Sequence, residues 1–163
     1  MKKTFLILGG NGFIGEEVVD YLANENKDYE FILLNRCNWS EWDSETRIKP
    51  KIRENIFFDR RNDSLKDCLK AYLEDSKLQF EALIDFSAFK SKDIENVIRN
   101  IPVEKVKLYI YISSDSIYEV CVDKQLNDNN EVVLNESDAI RPDSKSRRQF
   151  LKEFDSYGHH KLK

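Results

Sequence analysis

One stretch near the start of the chain decides its fold: Phe5-Leu6-Ile7-Leu8-Gly9-Gly10-Asn11-Gly12-Phe13-Ile14-Gly15. Its first four residues form a continuous apolar run, which is typical of a strand buried on both faces of a sheet. Beyond the glycines, apolar residues recur at helical spacing at Ile14, Val18, Val19 and Leu22. The pattern predicts a strand over residues 5–8, a glycine-rich turn over residues 9–15 and a helix over about residues 14–25.

Three glycines of this turn each have a mechanical task. Gly9 permits the tight turn off the strand, Gly12 lets the backbone approach a pyrophosphate, and Gly15 lets the helix pack closely on the sheet. The helix N-terminus then offers amide groups and a partial positive charge to the phosphates. The setting favours a dinucleotide site over a glycine-rich turn without a ligand. Its candidate cofactor-binding residues are Gly9, Gly10, Asn11, Gly12, Phe13, Ile14 and Gly15.

The residues at the end of the next apolar run indicate which dinucleotide, NAD or NADP, would be bound. Residues 31–34 predict a second buried strand that ends at Asn35 and Arg36, and Asn35 lies 20 residues after Gly15. An acid at this distance would hold the ribose 2′-hydroxyl of NAD, whereas an arginine can pair with the 2′-phosphate of NADP. Because the acid is missing, we expect NADP, with NAD as the second choice. The alternative is that Arg36 is a solvated surface residue.

The rest of the chain alternates between apolar runs and helical patterns. Further strands are predicted over residues 56–58, 82–86 and 108–112. Two more helices are marked by the apolar residues Leu65, Leu69, Tyr72 and Leu73, and by Ile94, Val97, Ile98 and Ile101. The alternation predicts an α/β fold of the Rossmann type, with a doubly wound parallel sheet in strand order 3-2-1-4-5 and helices on both faces. We expect one NAD(P)-binding domain over residues 1–163.

Two polar segments interrupt this alternation. Residues 38–54, which include Trp39 and Trp42, predict a loop with one helical turn. Residues 123–156 predict a polar surface insertion, with a short helix over residues 147–154.

Composition excludes several classes of protein. A net charge of −4 over 163 residues gives no sign of a nucleic-acid-binding or membrane surface. The three cysteines are scattered and the adjacent His159 and His160 would point in different directions on a helix, so we expect free thiols and no metal site. The apolar run at residues 5–8 is too short for a signal peptide, and we expect a cytoplasmic protein.

Three motifs follow one another in the order of a known family. They are the glycine turn, the segment Ile112-Ser113-Ser114-Asp115-Ser116-Ile117-Tyr118 and the segment Tyr157-Gly158-His159-His160-Lys161. Together they resemble the extended short-chain dehydrogenase/reductases, the NAD-dependent epimerase/dehydratase group. The segments Leu34-Asn35-Arg36 and Asp59-Arg60-Arg61 are similar to the atypical branch that includes the chloroplast stem-loop-binding proteins.

The resemblance implies a role for each matching residue. Ser114 would hydrogen-bond a substrate oxygen, Tyr157 would be the catalytic acid/base, and Lys161 would bind the nicotinamide ribose and promote ionisation of the tyrosine. A free tyrosine titrates near pH 10, so catalysis near neutral pH needs a nearby positive charge, and residues four apart share a helix face. The implied cofactor-binding set adds Asp59 at the adenine, with Arg60, Ser87, Ser113, Tyr157 and Lys161.

The chain departs from the family at two places. Tyr157 follows Ser114 by 43 residues, more than is usual. The chain ends at Lys163, whereas the family continues with the rest of that helix, further strands and a C-terminal substrate domain. We therefore expect a C-terminally truncated fold in which Tyr157 and Lys161 are poorly held, because so short a helix is marginal by itself. The family's dimer interface, which uses that helix, is not expected.

Two functions remain open from the sequence. The first is the NAD(P)-binding domain of an epimerase/dehydratase-like oxidoreductase that acts on a nucleotide-sugar or a similar carbonyl or hydroxyl substrate, incomplete as an enzyme. The second is a non-catalytic module that keeps the dinucleotide fold, RNA-associated or regulatory. The basic residues that could contact RNA form one local cluster of Arg141, Lys145, Arg147 and Arg148. The net negative charge of the chain argues against strong binding of RNA.

Overall fold

The computed structural model of the chain describes residues 2–36, 44–121 and 134–162. The chain divides into two compact units. The sheet unit comprises Met1–Ala88 and Lys92–Ile112, and the helical unit comprises Phe89–Ser91 and Ser113–Lys163. Cys37, Trp39 and Trp42 lie outside the described residues.

Five parallel strands form the sheet unit, in the order β3-β2-β1-β4-β5. The strands are β1 (Lys3–Leu8), β2 (Tyr29–Asn35), β3 (Glu54–Phe57), β4 (Phe80–Asp85) and β5 (Tyr109–Tyr111). Strand order and direction confirm the prediction. The reversal of winding falls between β1 and β4, and in such sheets ligands bind at the carboxyl edge of the strands beside this point.

Helices cover both faces of the sheet, as predicted. They are α1 (Phe13–Glu25), α2 (Ser44–Ile48), α3 (Leu65–Cys68), α4 (Lys70–Glu74) and α5 (Ser91–Asn100). Alternate residues of β1 enter two separate cores: Leu6 and Leu8 pack with residues of α3 and α5, whereas Phe5 and Ile7 pack with residues of α1 and α2. This double burial explains why β1 reads as a continuous apolar run. The helical turn expected within residues 38–54 is α2, which a 3₁₀ turn at Lys49–Lys51 follows.

The single helix expected around Leu65 and Leu73 is instead two short helices. They meet at Leu69, whose φ of −102° and ψ of 7° are not helical. Leu65 and Leu69 are nevertheless both buried in the core, as their helical spacing predicts. Ser64 caps α3 by accepting a hydrogen bond from the amide of Asp67 at 3.3 Å.

The helical unit is built from short elements. Its two helices are α6 (Lys145–Phe154) and α7 (Ser156–Lys161), and 3₁₀ turns lie at Asp115–Val120 and Glu136–Asp138. The helix expected over residues 147–154 is confirmed and begins two residues earlier, after the cap Ser144. Residues 122–133 of the predicted insertion lie outside the described part of the chain. Among the described residues, no helix is both long and apolar enough to cross a bilayer.

Candidate functional site

The glycine turn leaves β1 in the conformation that the sequence predicts. Gly9 has a φ of +79°, a value that side chains other than glycine's rarely permit. Its amide donates to the carbonyl of Leu34 at 2.9 Å, and the amide of Gly12 donates to the carbonyl of Gly9 at 3.2 Å. The turn is therefore fixed to the neighbouring strand β2 and closed on itself before α1 begins.

Two further glycines are required by packing inside the protein. A Cβ atom on Gly10 would lie 2.7 Å from Leu33 Cδ2, and a Cβ atom on Gly15 would lie 2.4 Å from the carbonyl oxygen of Gly9. Gly15 thus allows the close packing of the helix that was expected, and the helix packs on the backbone of the turn itself. Gly10 closes the turn onto the core beneath it.

Gly12 is different, because the protein's own packing does not require a glycine there. A Cβ atom on Gly12 would meet only the carbonyl oxygen of Gly9, at the ordinary contact distance of 3.5 Å, and its φ of −87° suits any residue. Gly12 is also the N-cap of α1 and supplies no side-chain acceptor to the first turn of the helix. Phe13 and Ile14, the next two residues, are exposed. The missing side chain leaves room on the outer side of the turn, where a phosphate would approach.

Asn35 holds the turn from inside the protein. Its side chain is buried, Oδ1 accepts from the amide of Asn11 at 3.3 Å, and Nδ2 donates to Asn55 Oδ1 at 2.5 Å. Asn11 is buried as well. The side chain of Asn35 therefore links the glycine turn to β3, while Arg36, which follows it at the end of β2, is exposed.

Asp59 organises the turn that follows β3. Its Oδ1 accepts from the amide of Arg61 at 3.0 Å, and its Oδ2 accepts from the side-chain amide of Asn62 at 3.0 Å. Its own amide donates to Asp63 Oδ2 at 2.6 Å. Asp59 thus lies in the loop that follows the carboxyl end of β3, and its implied contact with adenine stays a prediction.

Arg60 and Ser87, both expected at the cofactor, converge on a carboxylate that the sequence analysis did not single out. Arg60 Nη2 donates to Asp85 Oδ1 at 2.5 Å, and the side chain of Asp85 is fully buried at the end of β4. Asp85 Oδ1 also accepts from the amides of Ser87 and Ala88, at 3.0 and 2.9 Å. An acid directly after the apolar run Ala82-Leu83-Ile84 was the available signal for this residue.

The hydroxyl of Tyr109 completes the surroundings of Asp85. It donates to Asp85 Oδ2 at 3.2 Å from the neighbouring strand β5. Burial and the adjacent carboxylate raise the pKa of Tyr109 well above its ordinary value, so this phenol stays protonated and acts as a donor. The tyrosine is thus a sheet residue, as its place in an apolar strand predicts.

In the helical unit, Ser113 is exposed and Ser114 caps the 3₁₀ turn Asp115–Val120. Ser114 Oγ accepts from the amide of Ser116 at 3.2 Å. The same turn contacts α7, the helix that carries Tyr157 and Lys161. A Cβ atom on Gly158 would lie 2.1 Å from the carbonyl oxygen of Ser116, so only a glycine allows this approach. The structure therefore brings Ser114 and the helix of Tyr157 into one unit.

Tyr157 and Lys161 share one side of α7, as their spacing predicts. Lys161 Nζ lies over the ring of Tyr157, 5.6 Å from its centroid. The ring of Phe89, which the sequence analysis did not single out, also neighbours that of Tyr157, at 5.2 Å between centroids. Tyr157 is 42% exposed.

Residues that precede α7 in the chain hold both of its ends. Asp155 caps its start by accepting from the amides of Tyr157 and Gly158, at 2.9 and 3.1 Å. Near its end, Arg141 Nη2 donates to the carbonyl of His159 at 2.7 Å. The expectation of a poorly held helix was based on its short length alone and did not consider these contacts with residues before it.

Half of the basic cluster considered for RNA is used inside the helical unit. Arg141 binds the carbonyl of His159, and Arg148 donates to the carbonyls of Pro142 and Asp143. Guanidinium groups that satisfy backbone carbonyls are poorly placed to neutralise phosphates. The geometry therefore gives no support to the RNA hypothesis.

Comparison with known proteins gives a result at the level of structure. No family profile and no curated protein sequence matches the chain. Several solved structures match it across nearly its whole length. ADP-L-glycero-D-manno-heptose-6-epimerase of Helicobacter pylori is 22% identical, with a TM-score of 0.56 over 94% of this chain and 50% of that one.

Two further structures contain a dinucleotide. dTDP-glucose 4,6-dehydratase of Bacillus anthracis, in complex with NAD, is 15% identical, with a TM-score of 0.53 over 96% of this chain and 52% of that one. UDP-glucose 4-epimerase of Bifidobacterium longum, in complex with NAD⁺ and UDP, is 18% identical, with a TM-score of 0.53 over 93% and 48%. The chain has the fold of these enzymes. It spans about half of their length, and the shared fold agrees with the family resemblance found in the sequence.

Proposed function

We propose that the sheet unit binds a nicotinamide dinucleotide through the glycine turn. The observation that carries this proposal is Gly12, the one glycine of residues 9–15 whose missing side chain neither the backbone angles nor the internal packing explains. The N-terminus of α1 favours an anion at this place. Two enzymes of the same fold are described as complexes with NAD or NAD⁺, which supports this class of ligand.

Within this class, NADP is our first choice and NAD the second. Support for NADP comes from Arg36, which is exposed at the end of β2, and from the absence of an acid at position 35. Asn35 is turned inward to Asn11 and Asn55, so it leaves recognition of the ribose to its neighbour. If Arg36 contacts a 2′-phosphate, Arg36→Gln weakens NADP binding by about tenfold and leaves NAD binding unchanged.

Calorimetric titration with NADP and NAD tests the proposal. The wild-type chain is expected to bind at least one of them at millimolar concentration or below. Gly12→Val is expected to fold normally, because the 3.5 Å contact leaves room for a side chain, and to bind at least about tenfold more weakly. No binding of either cofactor by the folded wild-type chain would contradict the proposal.

For the chemistry, we propose an epimerase/dehydratase-like oxidoreductase that acts on a nucleotide-sugar or a similar carbonyl or hydroxyl substrate. A bound nicotinamide dinucleotide would supply hydride transfer. Tyr157 would exchange a proton with the substrate oxygen, Ser114 would hydrogen-bond that oxygen, and Lys161 would supply the positive charge beside the tyrosine. The position of Lys161 Nζ over the ring of Tyr157 supports this pairing.

The variant Tyr157→Phe separates the enzyme from the binding module. An enzyme should lose cofactor-dependent turnover on removal of the hydroxyl, with little change in cofactor affinity, because the ring and its contact with Phe89 remain. Assays with nucleotide-sugars and NAD or NADP provide the readout. Cofactor binding without turnover in the wild-type chain would instead favour the non-catalytic module.

A further inference from the structure

A single buried carboxylate joins the loops at the carboxyl edge of the sheet. Asp85 has no solvent exposure, and its two oxygens accept hydrogen bonds from an arginine, two backbone amides, the Ser87 hydroxyl and the Tyr109 hydroxyl. Burying a charge is costly unless it is paired and fully hydrogen-bonded. Such a set of donors therefore fixes the backbone that provides them.

The side chain of Arg60 connects the loop after β3 with the turn after β4 and with helix α5. Arg60 belongs to the first of these segments, and its side chain is only 12% exposed. Nε and Nη2 both lie 3.1 Å from Ser87 Oγ, in the turn after β4, and Nη1 donates to the carbonyl of Asp93 in the first turn of α5 at 3.2 Å. The planar guanidinium thus holds three segments in one fixed geometry, which a lysine could not reproduce.

The segment held in this way forms the wall against which the glycine turn lies. A Cβ atom on Gly9 would be 3.2 Å from Ser87 Cβ and 3.4 Å from Phe86 Cβ. Ser87 and Phe86 therefore occupy the space beside Gly9 that a side chain would otherwise need, and the turn after β4 bounds the glycine turn on this side. Ser87, which bonds to both Arg60 and Asp85, thus lies between the ion pair and the glycine turn.

We propose that Arg60 and Asp85 are a positioning pair that sets the geometry of the glycine turn for its ligand. Their role is to keep the turn after β4 against Gly9, and the proposal rests on dinucleotide binding by that turn. Arg60 does not bind the phosphates itself: its N–H groups point at Asp85, Ser87 and Asp93, and a contact with a ligand would break a buried ion pair.

The test compares two arginines at opposite ends of the same strand. Arg60→Lys keeps the charge and loses the forked contact with Ser87. The matched control is Arg53→Lys. Arg53 lies just before β3, and its Nη1 contacts Glu30 Oε1 at 2.9 Å on the surface of the protein. Asp85→Asn is the second variant, since it removes the charge at constant shape. Thermal unfolding of each variant is followed by circular dichroism, and the binding measurements are made at a temperature at which every variant is fully folded.

Two readouts are measured at that temperature: the dissociation constant for NADP and NAD, and the hydrogen exchange of the amides of Gly9, Gly12, Ser87 and Ala88. We expect Arg60→Lys to weaken binding by about tenfold and to accelerate exchange at Gly9 and Gly12, with neither effect in Arg53→Lys. A purely structural pair would change stability and leave the affinity of the folded protein unchanged. Wild-type affinity and exchange in folded Arg60→Lys would overturn the inference.

Failure of the proposed function gives a different pattern. If the wild-type chain binds neither dinucleotide, the proposed ligand is wrong, and the exchange rates alone decide the inference. Faster exchange at Gly9 and Gly12 in Arg60→Lys or Asp85→Asn would still show that the pair positions the turn. Unchanged exchange in both folded variants would overturn it.

Discussion

The glycine turn and helix α7 both depend on a glycine for close packing, but they are supported by different surroundings. In each, a glycine lets a helix approach a backbone oxygen. A Cβ atom on Gly15 would lie 2.4 Å from the carbonyl oxygen of Gly9, and a Cβ atom on Gly158 would lie 2.1 Å from the carbonyl oxygen of Ser116. The turn lies on fully buried core residues such as Ile7 and Leu33. Helix α7 has six residues and relies on polar caps. Damage to the turn should therefore reach the whole sheet unit, whereas damage to α7 should stay local.

Gly15→Ala should give the largest effect. The added methyl meets the backbone of Gly9 and Gly10, which the core beneath prevents from moving away, so we expect a loss of about 3 kcal/mol in the free energy of unfolding. Urea denaturation followed by circular dichroism measures it. Gly12→Ala is the matched control and should cost less than about 1 kcal/mol. Equal losses in the two variants would contradict the packing difference between these glycines.

Gly158→Ala should follow, at about 2 kcal/mol, and should be confined to the helical unit. Its Cβ atom would also lie 2.7 Å from Asp155 Oδ2, so both the cap and the contact with the 3₁₀ turn are disturbed. Hydrogen exchange of the His159 and Leu162 amides, which close this helix, should accelerate. Exchange in β1 should not change. Acceleration in both places would show that the two units unfold together.

The sequence predicts the sheet unit well because its evidence is periodic and local. Runs such as residues 31–34 are apolar on both faces, and the turn signals between them are strong, so strand order and winding follow from few rules. The break at Leu69 was not predicted, because the apolar spacing of Leu65, Leu69 and Leu73 is also that of one continuous helix. The capped turns of the helical unit depend on contacts with residues far away in the sequence, such as Arg141 with His159.

Asp155→Ala tests the cap of α7 alone. The carboxylate accepts from the amides of Tyr157 and Gly158, and loss of such a cap costs about 1 kcal/mol. We expect about fivefold faster exchange of the Gly158 amide, which is the same free energy expressed as a rate ratio. Asp155→Asn keeps an acceptor and should restore most of the protection. No difference between the alanine and asparagine variants would show that the cap does not hold this helix.

Asp20→Asn should have the smallest effect and a defined dependence on pH. A hydrogen bond from Lys51, and the nearby charge of Arg47, hold the pKa of Asp20 below its ordinary value of 3.8. Its contribution is therefore present above that value and is lost as the pH falls through the lower, folded-state pKa. We expect wild type to exceed the variant by about 0.5 kcal/mol at pH 7 and to match it near pH 2. A difference that persists at acid pH would exclude the charge as its cause.

At the candidate site, the sequence singled out residues whose surroundings the structure shows, but it did not predict the contacts among their side chains. Gly9, Gly12 and Gly15 were assigned tasks that agree with their geometry. Arg60 and Ser87 were placed at the correct edge, yet their contacts are with Asp85, because only the fold shows which side chain fills the space between two loops. Spacing alone could not reveal that pairing.

The most direct measurement of the central claim is the change in amide chemical shifts when NADP, and separately NAD, is added to the isotope-labelled chain. Binding at the glycine turn predicts the largest shifts at the amides of residues 9–15, at the start of α1, with smaller shifts at Ser87 and Ala88. Gly12→Val should strongly reduce these shifts at the same ligand concentration, while the rest of the spectrum stays that of a folded protein. No shifts in residues 9–15 at millimolar ligand, or shifts confined to the helical unit, would contradict dinucleotide binding by this turn.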